Sequence, residues 1–304
     1  MPAIMTIPIA HHAPIPTWFG VGGGADQLAT PRDHAELLAC VRTDPALRVL
    51  GAGANLLVDD DGVGELVVTL ASPAFQGVEW GPETVRVGAG VDLPKLIVDA
   101  VRRGRAGIEG LGGIPATIGG ALVMNAGGAF GQIADCVLRV HAISRDGREV
   151  TLERSQIPFA YRHSGLADLI LVSAELTLPP ADPAALRDKL KEVMVYKKKS
   201  QPMADNSAGC CFKNPTLEHT LRDAAGDIGE PGKRVSAGML IDRAGLKGLR
   251  VGGASVSPRH ANFLVTSAGA KARDVINLIA EITRRVHDTF GVTLHPEVVI
   301  WRRS

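Results

Sequence analysis

A chain of 304 residues with 45% hydrophobic content can bury one large core or two to three ordinary ones. Its formal net charge of +1 removes any sequence-wide case for nucleic acid or an anionic membrane surface as a partner. No apolar run is long enough to cross a bilayer. The four cysteines, Cys40, Cys136 and the adjacent Cys210 and Cys211, suit a reducing cytoplasm and match neither a disulfide scaffold nor a zinc motif, so no metal is expected.

The opening stretch, MPAIMTIPIAHHAPIP, has no basic start and is broken by Pro and His, which makes it a poor signal peptide. A Gly-rich turn follows in TWFGVGGGADQL. Thr30-Pro31 predicts a helix to about Arg42, with Thr at the cap, Pro in the first turn, and Ala35, Leu37, Leu38 and Val41 on its apolar face. Leu47 to Leu50 reads as a strand running into GAGAN, and Glu65 to Leu70 as a second strand. This α/β unit ends near Ala71. Val78 to Trp80 and Thr84 to Val87 form a hairpin around Gly81-Pro82. Asp92 caps a helix through Arg103, with Leu93, Leu96, Ile97, Ala100 and Val101 at helical spacing. Val137 to Arg145 and Arg148 to Leu152 flank Asp146-Gly147, a second hairpin signal. Leu169 to Leu178 is a strand, and Asp182-Pro183 starts a helix that ends in Lys197-Lys198-Lys199 before Gln201-Pro202.

In the last third, Ser236 caps a short helix ending at Gly245, and Val251 to Val256 and Asn262 to Thr266 read as strands. Lys271 to Phe290 is a long amphipathic helix with Val275, Leu278, Ile279, Ile282 and Val286 on one face, closed by Gly291. Val298 to Trp301 is a last strand, with Glu297 at its mouth. The boundaries divide the chain into 1–71, 72–203 and 204–304.

The stretch from Gly107 to Gly131, GIEGLGGIPATIGGALVMNAGGAFG, carries no Lys, Arg or Asp. Such a segment exposes backbone N–H groups against which a large anionic ligand can lie. A loop-rich core crossing explains the same glycines. The second bare loop, GAGAN, favours a dinucleotide held at its pyrophosphate. Neither loop is a P-loop or a Rossmann fingerprint. Arg162, in AYRHS, offers a fork for a carboxylate or phosphate, or is a solvated surface residue. Cys210, before FKNP, is a small apolar residue or, with an ordinary thiol pKa near 8.5, a proton donor at neutral pH. Glu297 is a solvated strand start or a buried carboxyl that supplies a proton. His260 is a substrate hydrogen-bonder or a satisfied structural histidine, and the three lysines serve the helix dipole or a phosphate.

Taken together and in order, TWFGVGGGADQL, GAGANLLV, GIEGLGGIPATIGGALVMNAGGAFG, AYRHS, SAGCCFKNP, AGMLIDRAGLKGLRVGGASVSPRHANFLV and FGVTLHPEV resemble the UDP-N-acetylenolpyruvoylglucosamine reductase family, in its shorter type. The pieces run from about Thr17 to Val298. The resemblance implies an α+β architecture: a vanillyl-alcohol-oxidase-type FAD-binding fold in two subdomains, then a C-terminal substrate-binding domain. It implies FAD along Gly51, Ala52, Gly53, Ala54, Asn55 and Leu56, and along Gly113, Ile114, Pro115, Thr117, Gly119, Gly120, Ala121, Asn125 and Ala126. NADPH would reduce the flavin, and hydride would pass to the enolpyruvyl double bond of a UDP-sugar. Arg162 and Glu297 would stabilise the resulting charge, and Cys210 would give the proton. Tyr161, Lys199, Asn214 and His260 fall on substrate-contacting positions. A cytoplasmic monomer is expected, and another flavin oxidoreductase of the same fold, such as a sugar or alcohol oxidase, is the alternative. Two departures stand out: Cys210 and Ala54 each replace a serine commoner in the family. The thiol is the stronger acid, and the lost hydroxyl at Ala54 is worth about 1 kcal/mol.

Overall fold

The computed structural model describes residues 7–202, 205–223 and 226–303. In the first sheet, Ala25–Ala29 pairs antiparallel with Ile9–Ala13 and parallel with Val67–Thr69, which in turn runs parallel to Arg48–Leu50. The strands Ile9–Ala13 and Ala25–Ala29 were not legible in the sequence. Pro, His and Gly interrupt their local pattern, and only the long-range pairing makes them strands.

The first helix is His34–Thr43 and does not begin at Thr30. Asp33 is its cap, and the Asp33 carboxylate accepts the Glu36 N–H at 2.9 Å. Buried Glu36 folds back to accept the Arg32 N–H at 2.7 Å, which holds the preceding chain outside the helix. Leu37, Cys40 and Val41 are buried, whereas Ala35 is exposed.

The second sheet has five antiparallel strands, in the order Glu149–Glu153, Val137–Ser144, Leu169–Thr177, Thr84–Gly88, Val78–Trp80. Leu152, Val140, Ala174, Val87 and Val78 form one row across it. That row packs on Leu93, Leu96, Ile97 and Ala100 of helix Leu93–Arg102, capped by Asp92. The same continuous core takes in Ala29 and Val68 of the first sheet and Leu37 and Val41 of the first helix, so the two sheets share one core.

The C-terminal core surrounds helix Ala272–Phe290, whose face Val275, Leu278, Ile279, Ile282 and Val286 is fully or nearly fully buried. The expected strand from Val251 to Val256 is instead a hairpin, Arg250–Val251 and Ala254–Val256. Gly252, with φ 54, permits the reversal. A further hairpin, Leu221–Asp223 with Gly226–Gly229, was not foreseen.

The chain's beginning and end are interleaved. Leu56–Val58 runs parallel to Val299–Trp301, and Phe19 and Leu57 are buried in the C-terminal core. Asp60 caps the long helix from outside it, accepting the N–H groups of Ala272 at 2.9 Å and Arg273 at 3.0 Å. These contacts set the last strand, and therefore Glu297, against the loop that precedes Leu56.

Candidate active site

The two bare loops lie against each other. A Cβ placed on Gly51 would sit 2.8 Å from Thr117 Oγ1, and one on Gly53, whose φ is +63, would sit 2.0 Å from the Pro16 carbonyl oxygen. No residue but glycine fits this packing at Gly53. Among the described residues, the N–H groups of Ala52, Gly53, Ala54 and Asn55 make no backbone hydrogen bond within the protein. They form a row of donors of the kind an anionic pyrophosphate takes up.

On the facing loop, Ile118–Val123 is far too short to be a stable helix alone. Thr117 caps it by accepting the Gly120 N–H at 3.2 Å, and burial of Ile118, Ala121 and Leu122 holds it. Gly119 donates to the Ala89 carbonyl at 2.8 Å, so this part of the loop is tied to the second sheet. Ile114 and Ala126 also spend their N–H groups internally, on Leu111 and Ala121. The side chain of Asn125 is committed to the protein. It is buried, donates to Gln132 Oε1 at 3.0 Å and to the Ala160 carbonyl at 2.9 Å, and accepts the Ala134 N–H at 3.3 Å.

That Asn125 bond positions the next element. Ala160 and His163 exchange N–H···O bonds of 2.9 and 3.1 Å, so Tyr161 and Arg162 form a tight turn between them. Arg162 has φ 53, a conformation non-glycine residues seldom adopt. Strain of this kind persists where the surroundings dictate it, and it concentrates at working sites. Arg162 Nε lies 2.5 Å from Glu297 Oε1, with side chains only 20% and 12% exposed. The two groups are in contact, but the Nε–H is not aimed at the carboxyl and makes no hydrogen bond. Arg162 also lines the neighbouring cleft, and a guanidinium there is a natural partner for a ligand carboxylate.

Cys210 reaches the same place by backbone pairing. It bridges to Phe263, while Phe212 bridges to Pro296, and the Glu297 N–H donates to the Cys211 carbonyl at 2.7 Å. Buried Asn262 clamps this segment, accepting from the Phe212 N–H and donating to its carbonyl, each at 2.9 Å. Asn262 was not picked out from the sequence. The signal available was a polar residue inside an otherwise apolar segment.

Burial pushes the Cys210 thiol up to about 12, Glu297 adds to the rise, and Arg162 and Lys197 oppose it. The thiol therefore does not have the ordinary acidity expected from its residue type. It keeps its proton throughout the neutral range. Burial also raises the Glu297 carboxyl above the usual carboxylate range, partly offset by the Arg162 charge. Lys197 is pulled down to about 8 by burial and by the Arg162 charge. Lys199, the residue expected to face the phosphates, is exposed on the helix surface, and its main-chain carbonyl accepts from Arg259. The lysine that the helix Pro183–Ser200 turns inward is Lys197, whose Cδ packs near Gly113.

A cleft of about 560 Å³ runs along Gly127, Gly128, Gln132, Tyr161, Arg162, Asn214 and Arg234, and a neighbouring one of about 400 Å³ adds Lys213, Thr216 and His295. Asn214 lines both. Its N–H donates to the Tyr161 hydroxyl at 3.2 Å, and its side chain accepts the Ala237 N–H at 2.9 Å. His260 lines neither. Burial lowers its pKa, its Nδ1 accepts the Asn262 N–H at 3.2 Å, and its ring meets Phe263 edge-on at 4.8 Å.

A family model described as the UDP-N-acetylenolpyruvoylglucosamine reductase C-terminal domain matches residues 201–301, and one described as an FAD binding domain matches residues 25–153. The UDP-N-acetylenolpyruvoylglucosamine reductase 2 of Symbiobacterium thermophilum is 41% identical over 287 residues, covering 92% of this chain and 87% of that protein. The chain belongs to the UDP-N-acetylenolpyruvoylglucosamine reductase family. The reductase of Desulfosudis oleivorans is 38% identical, over 96% of this chain and 92% of its own. The crystal structure of the Thermus caldophilus reductase superposes with a TM-score of 0.78 at 38% identity, covering 98% of this chain and all of that one. The architecture is accordingly the vanillyl-alcohol-oxidase-type FAD-binding fold followed by the reductase family's C-terminal domain. No helix among the described residues is long and apolar enough to cross a membrane, and no cluster of potential metal ligands occurs among them.

Proposed function

We propose that this chain is an NADPH-dependent flavoprotein that reduces UDP-N-acetylglucosamine enolpyruvate to UDP-N-acetylmuramate, a step of peptidoglycan precursor synthesis in the cytoplasm. The observation that carries the reading is the convergence of Arg162, Glu297 and Cys210 from three distant parts of the chain beside two bare glycine loops. The residues present fit FAD. Unused N–H groups at Ala52 to Asn55 suit its pyrophosphate, and Gly51 and Gly53 leave no side chain in the way. When bound, FAD would supply hydride-transfer chemistry toward the terminal carbon of the substrate's double bond, with NADPH as the reductant.

The protein's own part concerns charge and one proton. Addition of hydride at the terminal carbon leaves an electron pair on the adjacent carbon, shared with the substrate carboxylate. The Arg162 guanidinium and the Glu297 carboxyl are already in place to stabilise that charge, with no reorganisation at the moment of reaction. A protonated Glu297 donates a hydrogen bond, and its raised pKa favours that form. The Cys210 Sγ–H then gives its proton to the adjacent carbon, completing addition of hydride and proton across the double bond. A thiol held near 12 is a weaker acid than a free one but stays fully protonated, the state in which a donor must wait.

The test is a spectrum of the purified protein, then bleaching by NADPH and return of colour on adding the enolpyruvyl sugar without oxygen. A colourless protein would refute the flavin assignment. Colour returning with oxygen but not with the sugar would point to an oxidase.

A further inference from the structure

The turn that carries Arg162 is gripped on both sides by one short piece of chain. Before the turn, the Ala160 carbonyl accepts the side-chain amide of Asn125 at 2.9 Å. After it, the Ser164 hydroxyl donates to the Val123 carbonyl at 2.7 Å. Asn125 and Ser164 are both buried. The two residues flanking Met124 therefore hold the two stems of the turn. Val123 ends the helix Ile118–Val123, where a carbonyl has no partner within the helix, and Ser164 supplies one. The Ser164 hydroxyl also accepts the Leu166 N–H at 3.2 Å. Asn125 has φ 44, a left-handed conformation that asparagine tolerates better than most residues. Its second amide N–H goes to Gln132 Oε1 at 3.0 Å, and Gln132 Nε2 donates to Asp135 Oδ1 at 3.1 Å. Gln132 and Asp135 line the same cleft as Tyr161 and Arg162. The family resemblance implies a flavin contact for Asn125, but both of its side-chain donors are spent within the protein.

We infer that Asn125 and Ser164 are positioning residues that fix the guanidinium of Arg162 where the substrate carboxylate arrives. The inference rests on the reductase reading above. The exchange between Ala160 and His163 closes the turn, and the two buried side-chain bonds fix where the closed turn sits. Arg162 is held at φ 53, a conformation that persists only while its surroundings dictate it. Without the grip, the turn can relax and carry the guanidinium away from the reacting groups. A displacement of about 1 Å at such a place can slow a reaction by about 10²-fold.

The experiment follows the two half-reactions separately in wild type, Asn125→Gly and Ser164→Ala, each with and without Arg162→Ala. Glycine accepts the left-handed backbone, so Asn125→Gly removes the side-chain bonds without adding strain. Calorimetry in parallel compares binding of UDP-N-acetylmuramate with that of UDP-N-acetylglucosamine, which lacks the carboxylate. Asn125→Gly is expected to slow reoxidation of the flavin by the enolpyruvyl sugar about tenfold or more, well beyond any change in its reduction by NADPH. Preference for the carboxylate-bearing ligand should fall as well. In the Arg162→Ala background, Asn125→Gly should change neither quantity further, because the group it positions is already gone. Ser164→Ala should repeat the pattern more weakly, and it carries the same comparison if Asn125→Gly does not fold. Effects that add to those of Arg162→Ala would overturn the inference. So would loss of flavin with normal reoxidation in excess FAD, which would return Asn125 to the cofactor. Wild type that is reduced by NADPH but not reoxidised by the sugar would refute the reductase reading, and this inference with it.

Discussion

The side-chain amide of Asn55 donates to the main-chain carbonyl of Glu297 at 3.1 Å, across 242 residues of sequence. The Asn55 carbonyl in turn accepts the Val299 N–H at 3.0 Å. One residue of a glycine loop thus sets the strand that carries the buried carboxyl. Asn55→Ala removes one half-buried hydrogen bond, worth about 1 kcal/mol. It is expected to lower turnover several-fold and to loosen flavin together, measured as kcat and as flavin released on gel filtration. Loss of flavin with full turnover in excess FAD would show that the bond does not position Glu297.

Gly53→Ala is expected to be far worse. Its positive φ costs a non-glycine residue roughly 1–2 kcal/mol, and the new methyl would meet the Pro16 carbonyl 2.0 Å away, so main chain must move. The expected result is a protein purified without colour and melting several degrees lower. A yellow, normally stable Gly53→Ala protein would show that this loop is not packed as described.

The Glu297 carboxyl is raised by burial above its ordinary value of 4.5. A raised carboxyl binds its proton more tightly in the folded state. Its stabilising effect is therefore complete below the ordinary pKa and is lost as pH rises through the folded one. Glu297→Gln has no such titration. The melting temperature of wild type minus that of Glu297→Gln should rise as pH is lowered from 8 to 5. A flat difference would mean the carboxyl is not desolvated.

Cys210→Ser keeps a protonated donor and is expected to retain most turnover, whereas Cys210→Ala should lose roughly 10²-fold or more, the scale of general acid catalysis. Flavin reduction by NADPH should be normal in both. With its thiol held up to about 12, Cys210 should also resist alkylation by iodoacetamide near pH 8. Fast modification at that pH would contradict the burial.

Arg162→Lys should be nearly as damaging as Arg162→Ala in steady-state kinetics, because the fork and its Nε donor are lost in both. Comparable activity in Arg162→Lys and wild type would remove the fork from the mechanism.

Lys197 has no ion-pair partner among the described residues, and burial depresses it to about 8. A depressed lysine costs stability in its charged form, so its contribution is intact above 10.5 and is lost as pH falls through 8. Lys197→Met is expected to melt higher than wild type at pH 7 and to lose that advantage toward pH 10. Equal melting at both pH values would place the lysine in water.

Much of the molecule could be read locally. Asp92, Asp182 and Ser236 cap the helices they were expected to cap, and Gly291 closes the longest helix in the left-handed conformation. The helical spacing of Val275 to Val286 marked a buried face, and the glycine-rich stretches marked bare backbone, because these properties belong to a few neighbouring residues. Tertiary structure alone decided which distant pieces meet. The parallel pairing of Leu56–Val58 with Val299–Trp301, the capping of the last long helix by Asp60, and the choice of Lys197 over Lys199 all depend on partners that no local period specifies. The acidity of Cys210 was misjudged for the same reason: a thiol's pKa is set by the water and charge around it, and only the fold determines those.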